Sequence, residues 1–338
     1  MLHWEIMQLR LVIGLVVLLS MGAVVGLAHE VLTPANALDS GPILVDIPAH
    51  EGVLDIAGRL SKAGAIRSRV GFVLLAGVRG SSRQLKAGEY ELARGASTLD
   101  VLKQIEAGRV KQHLVLHPEG ATVAELARVL ESERLAPSGA VARLATDRAF
   151  LATLEIDGPS IEGYLFPDTY QLVRGMTTEE ILTRMVQRLR TKAGPDLTAR
   201  AQARGLSVHQ LLTLASIIER EAVDRGELRT ISAVFWNRLK INMPLQADPT
   251  VQYATGKERR TLTRADLATD HPYNTYRRSG LPPGPIASPG LAAIEAALDP
   301  APVKYLYFVA VDDQRHYFSA SLAEHNAAVA RYRLARAR

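Results

Sequence analysis

Hydrophobic residues follow three different patterns along this chain, and each pattern predicts a different kind of element. The first pattern is an unbroken apolar run at residues 11–28, eighteen residues without a charge, which is long enough to span a bilayer. Arg10 precedes the run and the next basic residue is Arg59, a distribution that favours a cytoplasmic N-terminus. We therefore predict a cytoplasmic tail at 1–10, a transmembrane helix at 11–28 and a linker at 29–43.

A cleaved signal peptide is the alternative interpretation of the same run. Ala35-Asn36-Ala37 has the small residues of a cleavage site. The apolar stretch is nevertheless longer than the apolar region of a typical signal peptide, which favours an uncleaved anchor.

The second pattern is a duplicated alternation of short apolar strands and amphipathic helices. Residues 47–60 share their order of Pro, Glu-Gly and helical apolar spacing with residues 116–130, and Tyr90 to Thr98 match Tyr170 to Thr178. Each copy predicts a strand, a turn, an amphipathic helix and then a strand-turn-helix, with Thr98 and Thr178 as helix N-caps. Such a unit suits binding of an extended polymer, and it equally suits a duplicated scaffold.

The third pattern is a helix at 211–222, LLTLASIIEREA, that is apolar except near its end. Helical periodicity places Glu219 and Glu221 on opposite flanks of one wide apolar arc. Burial of either carboxyl group would raise its pKa, as a general acid requires. The spacing does not choose between the two acids, and a frayed helix end with Glu221 paired to Arg225 is the simpler alternative.

Loops rich in aromatic, amide and acidic side chains supply candidates for binding a sugar polymer. The segment EGYLFPDTY contains Glu162, Tyr164 and Asp168, and Asp168 fits a turn equally well. Further along, amide, acid and phenol groups stand in segments that we predict to be loops around 237–239, 245–253 and 273–286. The candidate binding residues are Glu162, Tyr164, Gln246, Asp248, Asn274 and Tyr276.

The composition of the chain and the motifs that it lacks exclude several classes of function. The chain of 338 residues has a formal net charge of +5 without a basic block, which argues against a nucleic-acid partner. It has no Cys, which removes disulfides, thiol catalysis and Cys metal sites. No Ser-x-x-Lys, Gly-x-Ser-x-Gly, His-Glu-x-x-His or phosphate-binding Gly-rich motif occurs, so we predict no metal and no cofactor.

Several of these motifs, in this order, resemble the YceG-like family of endolytic murein transglycosylases. The resemblance covers nearly the whole chain and consists of the apolar anchor, EGYLFPDTY, LASIIEREA, LQADPTVQY and YNTY followed by GLPPGPIASPG. It implies an α+β fold with one N-terminal transmembrane helix, a LysM-like β-α subdomain at 44–112 and a mixed α+β catalytic domain at 113–338. The turn at Pro48 to Gly52 departs from the shorter Pro-x-Gly turn expected of a LysM-type unit.

The resemblance also implies a chemistry. The first Glu of the Ala-Ser-Ile-Ile-Glu motif is the family's catalytic acid, which assigns that role to Glu219 and leaves Glu221 a supporting acid. Glu219 would protonate the glycosidic oxygen between N-acetylmuramic acid and N-acetylglucosamine. It would then take the proton of the muramic C6 hydroxyl, which closes a 1,6-anhydro ring. Because the nucleophile is tethered within the substrate, no water and no second catalytic carboxylate are needed.

The implied setting is the outer side of a bacterial inner membrane, with the body periplasmic and the N-terminus cytoplasmic. The implied partners are peptidoglycan glycan strands, the membrane through one helix, and the peptidoglycan synthases known as penicillin-binding proteins. Two alternatives stay open. One is an anchored, non-catalytic peptidoglycan-binding scaffold, and the other is a true muramidase-type hydrolase in which Glu221 or Asp248 activates water.

Overall fold

A computed structural model of the chain describes residues 2–35, 41–257, 260–312 and 315–336. The described chain divides into two compact units, one formed by Met1–His113 with Val173–Gly175 and the other by Leu114–Leu172 with Met176–Arg338. The predicted boundaries at 43/44 and 112/113 stay predictions. The mixed α+β class is as predicted.

The first unit contains the apolar N-terminal helix. This helix, α1, spans Leu2–Leu32, so it is longer at both ends than the predicted 11–28. Its segment Arg10–Leu32 is the one described helix long and apolar enough to cross a membrane. Part of the predicted linker and of the candidate cleavage site, residues 36–40, lies outside the described residues.

The rest of the first unit is a two-stranded antiparallel sheet covered by helices. Ile43, Val45 and Ile47 alternate inward along the first strand, where they pack on a core with Phe72 and Tyr90. The strands pair from Pro42 with Ala93 to Ile47 with Gly88. The elements are β1 Pro42–Ile47, α2 Val53–Lys62, α3 Arg69–Val78, β2 Gly88–Ala93 and α4 Thr98–Ala107. Whether this arrangement is LysM-like in function stays a prediction.

The second unit begins with the second copy of the duplicated pattern. Its first strand pairs with its second strand to form a separate two-stranded sheet. The elements are β3 His113–His117, α5 Val123–Ser132, α6 Ser138–Leu144, α7 Arg148–Thr153, β4 Asp168–Leu172 and α8 Thr178–Ala193. The duplicated order of strand, helix, strand and helix is therefore present in both copies.

Capping of the duplicated helices differs from the prediction by one residue. Ser97 caps α4 and Thr177 caps α8, whereas Thr98 and Thr178 are the first helical residues. Each cap belongs to a capping box, in which a carboxylate three residues on binds the backbone N–H of the cap. The Ser-Thr and Thr-Thr pairs made two caps possible, and the acidic residue at the third helical position selects the earlier one.

The rest of the second unit is mainly helical and packs into one large core. Two segments predicted as loops are helical. Residues 237–239 belong to a helix in which the apolar spacing of Ile231, Val234 and Phe235 continues. Residues 248–253 belong to a helix that has Pro249 in its first turn, where Pro is favourable. The elements are α9 Leu197–Ala203, α10 Val208–Glu221, a 3₁₀ turn Arg225–Glu227, α11 Leu228–Lys240, α12 Asp248–Thr255, α13 Arg264–Leu267, α14 Leu291–Leu298, β5 Tyr307–Ala310, β6 His316–Ser319 and α15 Leu322–Arg336.

Candidate active site

Helix α10 carries the acidic pair and is the central helix of the second unit. Ser207 caps it, with Gln210 completing a capping box. Every residue from Leu211 to Glu219 is buried, so the helix is covered on all sides. Its polar side is buried too. The Ser216 hydroxyl on that side donates to Thr213 O and accepts the N–H of Ile286, so it keeps hydrogen-bond partners in the core. The end of such a helix can hold a carboxyl group in a desolvated place.

Glu219 occupies that place, with 9% of its surface exposed. Its two carboxylate oxygens have different partners. Arg225 donates from Nη1 to Oε1 at 2.6 Å, and the backbone N–H of Gly290 donates to Oε2 at 3.0 Å. Gly290 is the N-cap of α14, so Oε2 also lies at the positive end of a helix dipole. The carboxyl group is thus fixed in orientation by contacts from two separate elements.

A second carboxylate, that of Glu119, shares the same arginine. Arg225 donates from Nη2 to Oε2 of Glu119. The turn that carries Glu119 is held by two backbone hydrogen bonds, from Gly120 N to Ser288 O and from Ser288 N to Ala121 O, each 2.8 Å long. One arginine therefore serves two carboxyl groups.

Glu119 and Glu219 line an open cleft of about 420 Å³ at the end of α10. This volume lies within the range of small-ligand sites, and most of the lining residues are polar. The residues that line it are Glu119, Gly120, Glu219, Arg220, Glu221, Asp248, Pro249 and Gln252. Both acids that the helical pattern left as alternatives therefore face one cleft.

Burial raises the pKa of the Glu219 carboxyl group above its ordinary value. The Gly290 N–H and the Arg225 charge work in the opposite direction, and the neighbouring Glu119 adds to the rise. Burial also raises the pKa of Glu221, to about 8, with a further contribution from Asp248. Asp248 repels the ionised form of Glu221, while Arg238 and Arg220 favour it. Both acids are thus biased toward the protonated form.

Three predicted binding residues have different relations to this cleft: Asp248 lines it, Tyr276 contacts its lining, and Gln246 lies nearby in the chain. Asp248 lines the cleft as the first residue of α12, and Tyr276 donates from its hydroxyl to Oδ1 of Asp248 at 2.5 Å. Burial, followed by this bond to Asp248, raises the pKa of the Tyr276 phenol. Gln246 is exposed two residues before Asp248, with a positive φ of 49°, and its backbone N–H donates to Thr275 O. Substrate contact by all three stays a prediction.

The other three predicted binding residues are buried and do not line this cleft. Glu162 is 4% exposed and accepts the N–H of Val123 at the start of α5 through both oxygens, at 3.2 Å each. Asn274 is fully buried and donates to the carbonyl oxygens of Leu267 and Thr269. These placements favour supporting roles over the predicted direct contact with substrate.

Tyr164 is buried at a different cavity. Its hydroxyl lies 3.0 Å from Nδ1 of His209, and the two rings stack 6.1 Å apart. Both side chains line a separate cavity of about 940 Å³ that contains no residue of the acidic cleft. Among the described residues, no group of three or more His, Asp or Glu is arranged to hold a metal ion.

Arg225 and Glu119 belong to the site, although neither was predicted from the sequence as a member of it. The sequence suggested Arg225 only as a partner of Glu221, whereas the structure pairs Arg225 with Glu219 and Glu119. Glu119 was visible only as part of the duplicated Pro-Glu-Gly pattern. In the first copy of that repeat the structure also pairs the Glu with an Arg, Glu51 with Arg59.

Comparison with known proteins gives the family. The sequence profile of the YceG-like family matches residues 45–331. A protein of Bacillus subtilis (strain 168) named endolytic murein transglycosylase is 33% identical over 319 residues, covering 90% of this chain and 88% of that protein. A protein of the same name from Streptococcus pneumoniae serotype 2 (strain D39 / NCTC 7466) is 31% identical over 350 residues, covering 93% of this chain and 63% of its own length.

A solved structure agrees with this result. The crystal structure of a YceG-like protein from Listeria monocytogenes has a TM-score of 0.60 and 35% sequence identity, and the match covers 85% of this chain and 98% of that chain. The family predicted from the motifs is therefore confirmed, and this chain belongs to the YceG-like family.

Proposed function

We propose that this protein is an endolytic peptidoglycan lytic transglycosylase in which Glu219 is the catalytic acid and then the base. The observation that supports this proposal most directly is the desolvated carboxyl group of Glu219, which is held by Arg225 and Gly290 and faces an open cleft. The names of the two relatives support the reaction class. The product would be glycan strands that end in 1,6-anhydro-N-acetylmuramic acid.

The contacts of Glu219 distinguish the two oxygens of its carboxyl group. The Gly290 N–H holds Oε2 from the rigid start of α14, whereas Oε1 meets Arg225, whose side chain is 44% exposed. An exposed guanidinium can move aside at small cost, since solvent replaces much of its interaction. Oε1 is therefore the oxygen that exchanges the proton with the substrate.

The reaction moves one proton from Glu219 to the leaving group and a second proton from the substrate back to Glu219. Protonated Glu219 gives its proton to the glycosidic oxygen as the bond from C1 of N-acetylmuramic acid breaks, and N-acetylglucosamine leaves with a free 4-hydroxyl. The resulting carboxylate removes the proton of the muramic C6 hydroxyl, and O6 bonds to C1. Atoms balance without water, and Glu219 returns to its starting form.

The remaining cleft groups suit the charge that develops during this step. Cleavage creates positive charge at C1, which nearby carboxylates stabilise. Asp248 is oriented by the Tyr276 hydroxyl and is the candidate for this role. Glu221, which has a raised pKa of about 8, would be protonated at neutral pH and able to donate a hydrogen bond to the substrate.

The location follows from α1. We propose that its segment Arg10–Leu32 crosses the inner membrane once, with the N-terminus cytoplasmic. The rest of the first unit and the whole second unit would then lie on the periplasmic side. Nascent glycan strands would then be cut close to the bilayer. Peptidoglycan synthases that make those strands are the proposed partners.

Product analysis tests the proposal. Full-length protein in detergent micelles is incubated with uncrosslinked glycan strands, and the ends are read by mass spectrometry. We expect anhydro ends from the native protein and from Glu179→Gln, a control at an exposed carboxylate in the first turn of α8, and none from Glu219→Gln. Retained thermal unfolding of Glu219→Gln shows that the loss is chemical.

Other products would refute the assignment. Reducing ends, heavier by one water, would mean a hydrolase, for which Glu221 and Asp248 in the same cleft are the candidate water-activating groups. Strand binding without cleavage by the native protein would mean a scaffold. Anhydro ends that persist in Glu219→Gln would move the acid to another residue.

A further inference from the structure

Helix α3 of the first unit exposes a ridge of large apolar side chains. Val70, Leu74 and Val78 follow each other at intervals of four residues and are 67%, 48% and 88% exposed. The opposite side of the helix is buried through Phe72 and Ala76. Single exposed apolar residues are common, but three on one face of a ten-residue helix form a contiguous patch.

The ridge lies beside the membrane-spanning helix. At 100° per residue, Gly71 falls within about 20° of Val78 around α3, so the two share one side of the helix. Gly71 faces the end of α1, since a methyl group placed there would lie 3.6 Å from Cγ2 of Val31. The apolar ridge therefore adjoins the line along which α3 meets α1.

Further contacts hold this junction within the first unit. Val31 is buried, at 7% exposure, although the preceding apolar span of α1 is not buried. Arg67 donates from Nε to Pro34 O at 2.9 Å, and Pro34 forms an isolated bridge with Ser97. Helix α3 is thus fixed to the chain where α1 ends, at the level where a spanning helix would leave the bilayer.

The charged residues that flank the ridge in the sequence are all basic. The segment 67–86 contains no Asp or Glu. Its basic residues precede and follow the ridge, and all are exposed: Arg67, Arg69, Arg79, Arg83 and Lys86. Arg79 is paired with Glu106 of α4. An apolar strip flanked by basic residues is the composition of a helix that lies in an anionic lipid interface.

We propose that α3 is a second membrane contact, with the Val70–Leu74–Val78 ridge inserted among lipid tails and the flanking basic residues on anionic headgroups. The inference rests on the proposed insertion of α1. It adds a lipid-binding surface that would fix the orientation of the first unit relative to the membrane, which α1 by itself would not do.

The absence of native Cys makes the contact directly measurable, because one introduced Cys carries the only spin label. Full-length protein is reconstituted into vesicles that contain phosphatidylglycerol, with the label at position 74. A label at position 17, inside the span, serves as the lipid reference. A label at position 44 serves as the water reference, since Leu44 of β1 is 51% exposed and pairs across the sheet with Glu91.

We expect dissolved oxygen to increase the spin relaxation rate of the label at 74, as it does for the label at 17. A water-soluble nickel complex should instead increase the relaxation rate of the label at 44. In Val78→Ser the ratio of position-74 labels in lipid to those in water should fall about fivefold, because the apolar burial of Val78 is lost. Leu116→Ser, at another exposed apolar residue, should leave it unchanged. Vesicles of phosphatidylcholine alone should weaken the contact.

A label at 74 that behaves like the label at 44 would overturn the proposal while leaving the anchor intact. A label at 17 in water would show that α1 does not insert and would overturn both together. Because Val78 is almost fully exposed in the protein, its substitution leaves the core unaffected, and unchanged thermal unfolding of Val78→Ser confirms this in the same samples.

Discussion

Replacing Glu221 by Gln removes a carboxyl group whose protonated form the folded protein favours. Burial and the neighbouring Asp248 raise its pKa from 4.5 to about 8. A raised pKa means that the folded state binds the proton more tightly than the unfolded state does. The stability linked to this group is therefore fully present below about pH 4.5 and is lost as the pH rises to about 8.

The size of this effect follows from the same values. Each unit of difference between the folded and unfolded pKa corresponds to about 1.4 kcal/mol, so the full shift would approach ~5 kcal/mol. The Glu221 side chain is only half-buried, and solvent screens part of its interactions. We therefore expect Glu221→Gln to stabilise the second unit by ~2 kcal/mol at pH 9 and to have little effect at pH 4.5.

Fluorescence of Trp236 reports this transition. Trp236 lies in the second unit and donates from Nε1 to Ala297 O at 2.9 Å. The chain has two Trp residues, so a Trp4→Phe background makes Trp236 the only one. Urea unfolding of full-length protein in micelles is followed at pH 4.5 and pH 9, with Glu179→Gln as the control. A Glu221→Gln effect that is the same at both pH values, or that is larger in acid, would show that folding does not raise the pKa of Glu221.

Three other substitutions test the rest of the site. Arg225→Gln removes the cation that lowers the pKa of Glu219, so the alkaline limb of kcat/KM should move to higher pH; an unmoved limb would exclude Arg225 as the controlling charge. Gly290→Ala would make a methyl group collide with Oε1 of Glu119, so the Glu119 side chain must move away. We expect the activity to change while the free energy of unfolding stays within ~1 kcal/mol of the native value. Asn274→Ala leaves three partly buried backbone groups without their Asn274 partner and should cost ~2 kcal/mol in urea unfolding, whereas no loss would mean that these groups find other partners.

The sequence predicted most elements whose cause is local. The apolar run at 11–28 lies inside α1, and the duplicated pattern appears as strands and helices in both copies. Capping was predicted to within one residue, since a capping box involves only four neighbours. The helix at 237–239 was missed because the polar residues Asn237 and Arg238 outweighed an apolar spacing that continues from earlier in α11.

The choice between Glu219 and Glu221 shows the limit of sequence reasoning. Helical periodicity placed both on one apolar arc, and the family resemblance pointed to Glu219. The structure gives both acids raised pKa values and distinguishes them by their contacts, since Glu219 is held by Arg225 and Gly290. Glu162 and Asn274 were predicted to bind substrate because a sequence does not show whether a polar side chain points to solvent or to the backbone.

Three features could be predicted from the sequence: the apolar helix with acids at its end, the membrane-length run and the duplicated units. Each depends on residues within a few positions of one another. The surroundings of the acid depend instead on tertiary packing. Gly290 lies 71 residues from Glu219, and Glu119 lies 106 residues from Arg225. Contacts over such separations form only when the core packs, and packing decides which carboxyl group loses water, which cation reaches it and therefore where its proton is held.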